Sequence, residues 1–447
     1  MIYYTLWRIQ ESAFKKKIEM KAGLKQTIKD QFWNKLISKP HLAVILAYIT
    51  VAICAPLLAG RDPLIIKTSG EWKFPGFSTD KYFRYSEDSL ILKKSADWKN
   101  MQAEFILFPL VPYDPNESDM INYNYLSPFD TNKMIAGDGS TVIAPLRFKH
   151  WLGTDKAGRD VLSGLIHGTR TTLLVGFLSM IIALVIGLIT GTIAGYFGDK
   201  TLKTGMWKIA VLLLSALAAW YYIMIVPEHQ PKHVLQDINF IWKFLLIIFI
   251  IAFISAIIHH ATKFKTGIRQ TYIPADIIIS RSTELFQSVP RMILILAIAA
   301  IMKPGLSSII IIIGITSWVK ISRLFRAEIL SLKNKAYIDV CKSMGMSDYR
   351  IILRHILPNS YKPAFTAFIF GIAATVMIET GLSFLGIGTD PERASWGILL
   401  FNGKENFGAW WLVIFPGLAI SALILALNGV IKNKNGRGSR DSIINNF

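Results

Sequence analysis

The sequence predicts an all-α membrane protein in which a bundle of helices crosses a bilayer several times. Three observations predict this fold class: 52% of the 447 residues are hydrophobic, the mean hydropathy is +0.41, and long apolar runs recur along the chain. Runs of about 20 apolar residues match a hydrocarbon layer ~30 Å thick, and a helix buried in a soluble protein needs fewer. The formal net charge of +19 is therefore assigned to the loops of a membrane protein, and we expect no nucleic-acid partner.

Eight apolar runs predict eight membrane spans. They cover residues 41–59, 169–195, 208–226, 240–258, 281–302, 306–321, 361–380 and 408–430. The first run follows a basic segment, 1–40, that is far longer than the charged start of a signal peptide. We therefore expect 41–59 to stay in place as an uncleaved first helix.

The distribution of Lys and Arg predicts the orientation of the spans, because cytoplasmic loops carry an excess of these residues. If the N-terminal segment is cytoplasmic, four further segments lie on the same side, and each is net basic: 200–207, 259–275, 322–360 and 431–447. Both termini are then cytoplasmic, and 60–168 is a long extracytoplasmic region. No period of 2 or 3.6 residues is sustained in 60–168, so its secondary structure is not predicted.

The basic loop 322–360 carries the most informative motif. Residues 337–345 read YIDVCKSMG, and the segment closes with His355-Ile356-Leu357-Pro358. This resembles the EAA loop of binding-protein-dependent ABC import permeases, which has an acidic residue, two alanines, a glycine four residues later and an Ile-x-Leu-Pro ending. Asp339 stands at the acidic position, Val340 and Cys341 replace the alanines, and His355 replaces the isoleucine.

The resemblance implies that this loop is a cytoplasmic coupling helix that receives the motion of an ATPase subunit. Its coupling residues are then Ala336, Tyr337, Asp339, Cys341, Gly345, Leu357 and Pro358. Asp339 is expected to anchor the loop by a charge-assisted hydrogen bond, and Gly345 to allow a turn after a short helix. The other interpretation of Asp339, a solvated residue of a basic loop, stays open.

A second motif precedes the second predicted span. WLGTDKAGRDVLSGLIHGTR, at 151–170, resembles the signature of the dipeptide, oligopeptide and nickel branch of the same family. The signature residues are Gly153, Thr154, Asp155, Gly158, Arg159 and Asp160. Gly153 and Gly158 permit a tight turn, Asp155 and Asp160 are able to cap the following helix, and Arg159 is able to pair with a carboxylate.

The glycine spacing of this motif also mimics a phosphate-binding loop. Arg159 and Asp160, however, occupy the places of the lysine that reaches phosphate and of the hydroxyl that binds Mg²⁺. We therefore expect no nucleotide or other cofactor on this chain, and ATP is used by partner subunits.

Family members usually have six spans, and the resemblance breaks between 201 and 272. We interpret 201–272 as an inserted helical hairpin, which either contacts another subunit or packs against lipid. Upstream of it, Gly187, Gly191 and Gly195 repeat every fourth residue, a spacing that lets a neighbouring helix approach closely.

Four residues are candidates for the pathway or a gate: Arg281, Glu284, Pro290 and Glu379. Arg281 and Glu284 are three residues apart and are able to pair on one helical face, and Arg291 follows directly after Pro290. Charges in membrane helices are costly and normally face protein or water. The alternative for Arg281 and Glu284 is an interfacial helix end. Glu379 begins a segment that resembles a family motif and continues to Trp396. The segment suits an outer-gate turn, and the other interpretation is that Trp396 marks the membrane interface.

The resemblance covers roughly 150–200 and 275–430, and it implies a permease domain over 169–430. It implies a permease subunit of an ATP-driven importer in the bacterial inner membrane, with peptides as the expected substrate. The implied partners are a second permease, two ATPase subunits, an extracytoplasmic solute-binding protein and lipid. The region 60–168 either touches that binding protein or is a passive loop. Two other classes stay open, a secondary transporter or channel without an ATPase, and a membrane enzyme, for which no active-site motif is visible.

Overall fold

The computed structural model describes residues 40–199, 203–205 and 270–444, apart from short gaps at 69, 78–81, 87–88, 93–97, 100, 102, 137–138, 303–304 and 388–392. In these residues five helices are long and apolar enough to cross a membrane, and a bent helix pair makes a sixth candidate. The predicted all-α membrane bundle is confirmed. The predicted spans 208–226 and 240–258, with almost all of 1–40, lie outside the described residues, so the count of eight spans stays a prediction.

The described helices are, in chain order, α1 (Pro40–Leu58), α2 (Val161–Thr192), α3 (Ala275–Ser288), α4 (Arg291–Ile301), α5 (Leu306–Lys333), α6 (Ala336–Ser343), α7 (Asp348–Ile351), α8 (Leu357–Asn359), α9 (Tyr361–Phe384), α10 (Trp396–Lys404) and α11 (Trp411–Ile444). A π-helical turn, Ile193–Phe197, extends α2, and another, Ile352–Ile356, joins α7 to α8. Several helices run beyond the apolar run that predicted them. Hydropathy identifies only the apolar part of a helix. The end of the helix depends on its capping residues.

The predicted span 281–302 differs from the structure. Two helices, α3 and α4, take its place, and they are bent by 84° at the break. Pro290 is the N-cap of α4, and its ring removes a backbone donor and excludes the carbonyl of an earlier helical turn. A proline in the middle of an apolar run therefore divides the span.

The chain forms two compact units. The first contains the described residues within Met1–Ile186, Val289–Ile321 and Lys362–Phe447, and the second those within Gly187–Ser288 and Ser322–Tyr361. In the first unit, buried side chains from four helices form one core: Val175, Ile295, Ile313, Ile378 and Leu382. In the same unit α1 packs along α11, and the Tyr48 hydroxyl donates to the carbonyl of Ala419 at 2.8 Å.

The region 60–168 contains short strands. They are β1 (Ile65–Thr68), β2 (Glu71–Lys73), β3 (Tyr82–Ser86), β4 (Ser89–Leu92), β5 (Phe105–Leu107), β6 (Lys133–Ile135) and β7 (Thr141–Ile143). They make an antiparallel sheet of order β2-β1-β5 and the hairpins β3-β4 and β6-β7. Ile66, Trp98, Phe108 and Phe148 form an apolar core here. Strands of three to five residues are too short to show a period, which is why the sequence did not predict them.

In the second unit, the predicted close approach of helices is present. A Cβ added to Gly191 would lie 2.6 Å from the carbonyl oxygen of Ser322, and one added to Gly195 would lie 3.0 Å from that of Arg326. The flanks of the predicted insertion also meet here, because β8 (Lys203–Gly205) pairs antiparallel with β9 (Gln270–Tyr272). The residues between these two strands lie outside the described part of the chain.

Candidate functional site

The predicted coupling loop is a series of short helices in the second unit. α6 begins at Ala336, three residues after the end of α5, and has one buried face. Ile338 is fully buried, whereas Tyr337 and Asp339 on the other face are exposed. The short helix is thus held to its own unit by an apolar side chain, and its polar face is open.

Gly345 ends this helix as the sequence predicts. Its φ is +76°, a left-handed conformation that suits glycine. The N–H of Met346 donates to the carbonyl of Cys341 at 3.1 Å, and the N–H of Gly345 to that of Lys342 at 2.9 Å. These two bonds make a Schellman motif, which closes the end of α6. No atom lies within 4 Å of an added Cβ, so a side chain here meets backbone strain and no steric block.

The other end of the loop contains Leu357 and Pro358. Pro358 lies in the first turn of α8, where the missing N–H is not needed by the helix. Ile356 before it is fully buried, and its carbonyl accepts the N–H of Ser360 at 3.0 Å. The Leu-Pro ending is thus part of the short helix α8, which ends at Asn359.

The carboxylate that anchors the loop inside this chain is Asp348, which the sequence reasoning missed. The buried Tyr196 hydroxyl donates to it at 2.6 Å, and Lys333 donates to the backbone carbonyl of Tyr196. Asp339 is exposed, and its carboxylate accepts no hydrogen bond from the described part of this chain. Its expected anchoring role, toward the permease or a partner, therefore stays a prediction.

A second brace in the same unit was also not predicted. Arg326 of α5 makes two parallel bonds to Asp276 of α3, Nε–Oδ1 at 2.5 Å and Nη2–Oδ2 at 2.6 Å. Asp199 accepts the N–H of Ile277 at 3.0 Å and so caps the first turn of α3. Forked arginine–carboxylate pairs fix both distance and orientation, so α3 and α5 are held rigidly to each other.

Around α6, the predicted coupling helix, lies an exposed surface that mixes apolar and cationic side chains. Val340, Met344, Tyr349 and Leu353 expose 57%, 76%, 73% and 45% of their area. Arg350 and Arg354 line a shallow pocket together with Ser347, Tyr349 and Leu353. We call this set the coupling surface. Exposed apolar patches with a charged rim are typical of protein–protein contacts.

The signature loop, 153–160, lies in the first unit and joins the region 60–168 to α2. We call it the junction. Gly153 and Gly158 have φ of +77° and +78°, and an added Cβ would lie 2.5 Å and 2.1 Å from the carbonyls of Leu126 and Asp119. Thr154, fully buried, donates to the carbonyl of Asn122 at 2.8 Å. The two glycines are therefore required by both conformation and space.

The two aspartates of this loop have different roles. Asp160 accepts the N–H of Ser163 at 2.6 Å and caps α2, as predicted. Asp155 instead accepts the N–H groups of Ala157 and Arg159, both at 2.9 Å, and so closes the turn before the helix. Its other oxygen accepts from Asn402 at 3.0 Å. Among the described residues Arg159 forms no ion pair within 4.0 Å, although burial raises the pKa of the Asp155 carboxyl and the charge of Arg159 acts against that rise.

His150 belongs to this junction and was not singled out in the sequence. Its ring is fully buried and stacks on Tyr113, with 4.0 Å between centroids. Nδ1 lies 2.8 Å from Asp160 and Nε2 lies 3.3 Å from Asp119. Both ring nitrogens face carboxylate oxygens, and we therefore assign the ring as an imidazolium, in which each nitrogen donates a proton.

The electrostatics of the junction agree with this geometry. Burial lowers the pKa of His150, but the hydrogen bonds and charges of Asp119 and Asp160 outweigh it, and the net pKa is raised. Burial raises the pKa of Asp119, yet hydrogen bonds from His150, Asn122 and the N–H of Ile121 bring it down to about 2. The three groups stabilise one another as a buried charged cluster.

The four pathway candidates are divided between the two units: Arg281 and Glu284 lie in the second, and Pro290 and Glu379 lie in the first. Arg281 and Glu284 pair at 2.7 Å, as their spacing predicts, and both are well exposed. Glu379 is fully buried and accepts hydrogen bonds from Ser383 at 3.1 Å and Thr172 at 3.4 Å. Pro290 lies directly before the first residue of α4, as its N-cap.

Trp396, offered as either an outer-gate turn or an interface marker, is fully buried. Its Nε1 donates to the carbonyl of Leu165 at 3.0 Å. An added Cβ on Gly168 would lie 2.7 Å from its Cδ1. The residue is thus a core residue of the first unit, and it does not mark a membrane interface.

Comparison with known proteins identifies the family. The family described as binding-protein-dependent transport system inner membrane component matches residues 266–436. A peptide transport system permease protein of Brucella suis is 36% identical over 318 residues, which are 71% of this chain and 80% of that protein. The chain belongs to the binding-protein-dependent ABC permease family. It is a multi-pass membrane protein and a permease of an ABC importer.

Other relatives agree with this assignment. A dipeptide transport system permease protein of Alkalihalophilus pseudofirmus is 27% identical over 66% of this chain and 71% of that protein. An inner membrane ABC transporter permease protein of Escherichia coli is 24% identical over 86% of this chain and 88% of that protein. A solved chain of the MetNI methionine ABC transporter has 13% identity and a TM-score of 0.37, covering 60% of this chain and 95% of that chain, which is too weak a likeness to carry further inference.

Proposed function

We propose that this ABC permease is the second of two permease subunits of a peptide importer in the bacterial inner membrane. Two relatives are named for peptide or dipeptide transport, which supports peptides as the substrate class. Two ATPase subunits, which bind the ATP, and an extracytoplasmic solute-binding protein complete the complex. Both termini face the cytoplasm. Region 60–168 contacts the binding protein, and the insertion 201–272 is an accessory hairpin.

The coupling role is proposed from the contacts that α6 makes with its own unit. One face is fixed by the buried Ile338, and the other presents the coupling surface to a partner. The loop is tied to the π-helical turn of α2 by the bond between Tyr196 and Asp348, and α5 is tied to α3 by Arg326 and Asp276. A push on α6 is therefore passed to several membrane helices of its unit without a flexible joint.

The resulting mechanism is a shift between two states. ATP closes the ATPase dimer, and the coupling surface moves with it. The braces carry that displacement into α2, α3 and α5, so the permease pair changes between inward-facing and outward-facing arrangements. Hydrolysis drives transport only because the ATPase favours the two arrangements unequally.

The test uses three variants in the coupling loop. Gly345→Val forces a β-branched residue into the left-handed region, which costs about 1–2 kcal/mol and lowers the population of the capped loop about 5–30-fold. Asp339→Lys reverses the charge that faces the ATPase. Gly345→Asn is the matched control, because asparagine adopts the same conformation at little cost and open space surrounds the position.

The expected result is that Gly345→Val and Asp339→Lys insert normally but co-purify with less ATPase, or hydrolyse ATP without transport in reconstituted vesicles. Gly345→Asn is expected to behave like the wild type. If the Val and Lys variants both retain wild-type co-purification and transport, the coupling assignment is wrong. A secondary transporter or channel would show transport without any ATPase.

A further inference from the structure

An unpaired guanidinium lies in the membrane helices of the first unit. Arg291 is the first residue of α4 and is half-buried. Its Nη2 donates to the hydroxyl of Ser317, which in turn donates to the carbonyl of Ile313. Its Nε is buried, and no described residue accepts a hydrogen bond from it. One donor of the guanidinium, Nη2, is therefore hydrogen-bonded, whereas a second, Nε, is buried without an acceptor among the described residues.

No counter-charge for Arg291 is present in the described residues. None of the ion pairs formed there includes it. Glu379 is the one carboxylate within the candidate spans of this unit, as far as these are described, and it is already bonded to Ser383 and Thr172. A charged side chain in a membrane helix is costly and normally faces a partner or a water-filled path. An anion that approaches from outside the described residues is therefore able to pair with Arg291.

The surroundings of Arg291 are open in the isolated chain. Met292 and Ile293, the next two residues of α4, expose 39% and 58% of their area. The inner side of the same helix is packed, since Ile295 is fully buried in the core shared with Ile313 and Leu382. Arg291 thus lies at the edge of a surface that is free in one subunit, the kind of surface from which a pair of permeases builds its pathway.

We propose that Arg291 binds the free C-terminal carboxylate of the transported peptide, an inference that rests on the proposed function. A carboxylate accepts parallel N–H donors of a guanidinium, and among the described residues no carboxylate pairs with Arg291. The terminal carboxylate is the anion that every linear peptide carries, whatever its sequence. A site that binds this carboxylate selects linear peptides regardless of their side chains.

The experiment compares free-acid and C-terminally amidated forms of one peptide in the complete complex reconstituted in vesicles. The wild type is expected to transport the free acid at least about tenfold better at limiting concentration, the factor that one charge-assisted hydrogen bond supplies. Arg291→Gln is expected to bring the ratio close to one, because transport of the free acid falls more than transport of the amide. Arg291→Lys keeps the charge and is expected to retain part of the preference.

Lys320→Gln is the matched control, because it removes an exposed cation from α5 in the same unit and is expected to leave the ratio unchanged. An unchanged ratio in an assembled Arg291→Gln complex overturns the proposal. So does failure of that variant to assemble with the second permease, since the guanidinium would then pair with a subunit. A wild-type complex that transports other solutes but no peptide overturns the proposed function, and the subsite with it.

Discussion

At the scale of single residues, the chemistry of this chain depends on a few side chains that have specific partners. The histidine between Asp119 and Asp160 is the clearest case. Asp119 lies 31 residues before His150, and nothing in the spacing of the three residues indicates a cluster. The structure brings them together at the start of α2, where the region 60–168 meets a membrane helix.

Replacing His150 by Gln should destabilise the protein by about 3 kcal/mol, because two buried carboxylates lose their counter-charge. The raised pKa of His150 makes its contribution complete below about pH 6.5 and lost as the pH rises through the folded pKa. The contribution of Asp119 is complete above about pH 4 and lost as the pH falls towards about 2. Thermal unfolding in detergent should therefore show the largest difference from wild type near pH 5–6.

The double variant Asp119→Asn/His150→Gln is the control for this prediction. It removes a charge of each sign, so it should be less destabilised than the sum of the two single variants. A difference between His150→Gln and wild type that stays the same from pH 5 to pH 9 would contradict the imidazolium assignment.

At the scale of elements, close packing of α2 on α5 in the second unit depends on glycine. Gly191→Leu should cost about 1–3 kcal/mol, because even the Cβ would lie 2.6 Å from the carbonyl of Ser322 and 2.7 Å from Cβ of Phe325. The variant should lower the yield of folded complex in size-exclusion chromatography and its unfolding temperature.

Gly417→Leu is the comparison for this packing prediction. Gly417 also lies in a membrane helix, α11, but nothing is within 4 Å of its added Cβ. That variant should fold in normal yield. Equal behaviour of the two leucine variants would mean that the contact of Gly191 with α5 is not part of the assembled protein.

At the scale of the whole molecule, the orientation of the chain is the main prediction still to be tested. In a chain carrying Cys54→Ser and Cys341→Ala, new cysteines at Lys203 and Lys263 should resist a membrane-impermeant thiol reagent in intact cells, because the eight-span topology predicts that both flanks of the insertion face the cytoplasm. A cysteine at His233, in the predicted outer turn, should react. Labelling of Lys203→Cys from outside would overturn the eight-span topology.

The sequence by itself determined the membrane class, the family motifs and the local ends of elements. Hydropathy, the positive φ of Gly345 and the cap of Asp160 are set by neighbours in the chain, so a pattern of adjacent residues predicts them. The tertiary structure alone decided that Asp348 anchors the coupling loop, that Trp396 is buried and that Arg291 has no described counter-charge. Tyr196 and Asp348 are 152 residues apart, and Trp396 and Leu165 are 231 apart. Contacts over such separations depend on how helices pack, and local sequence carries no record of that packing.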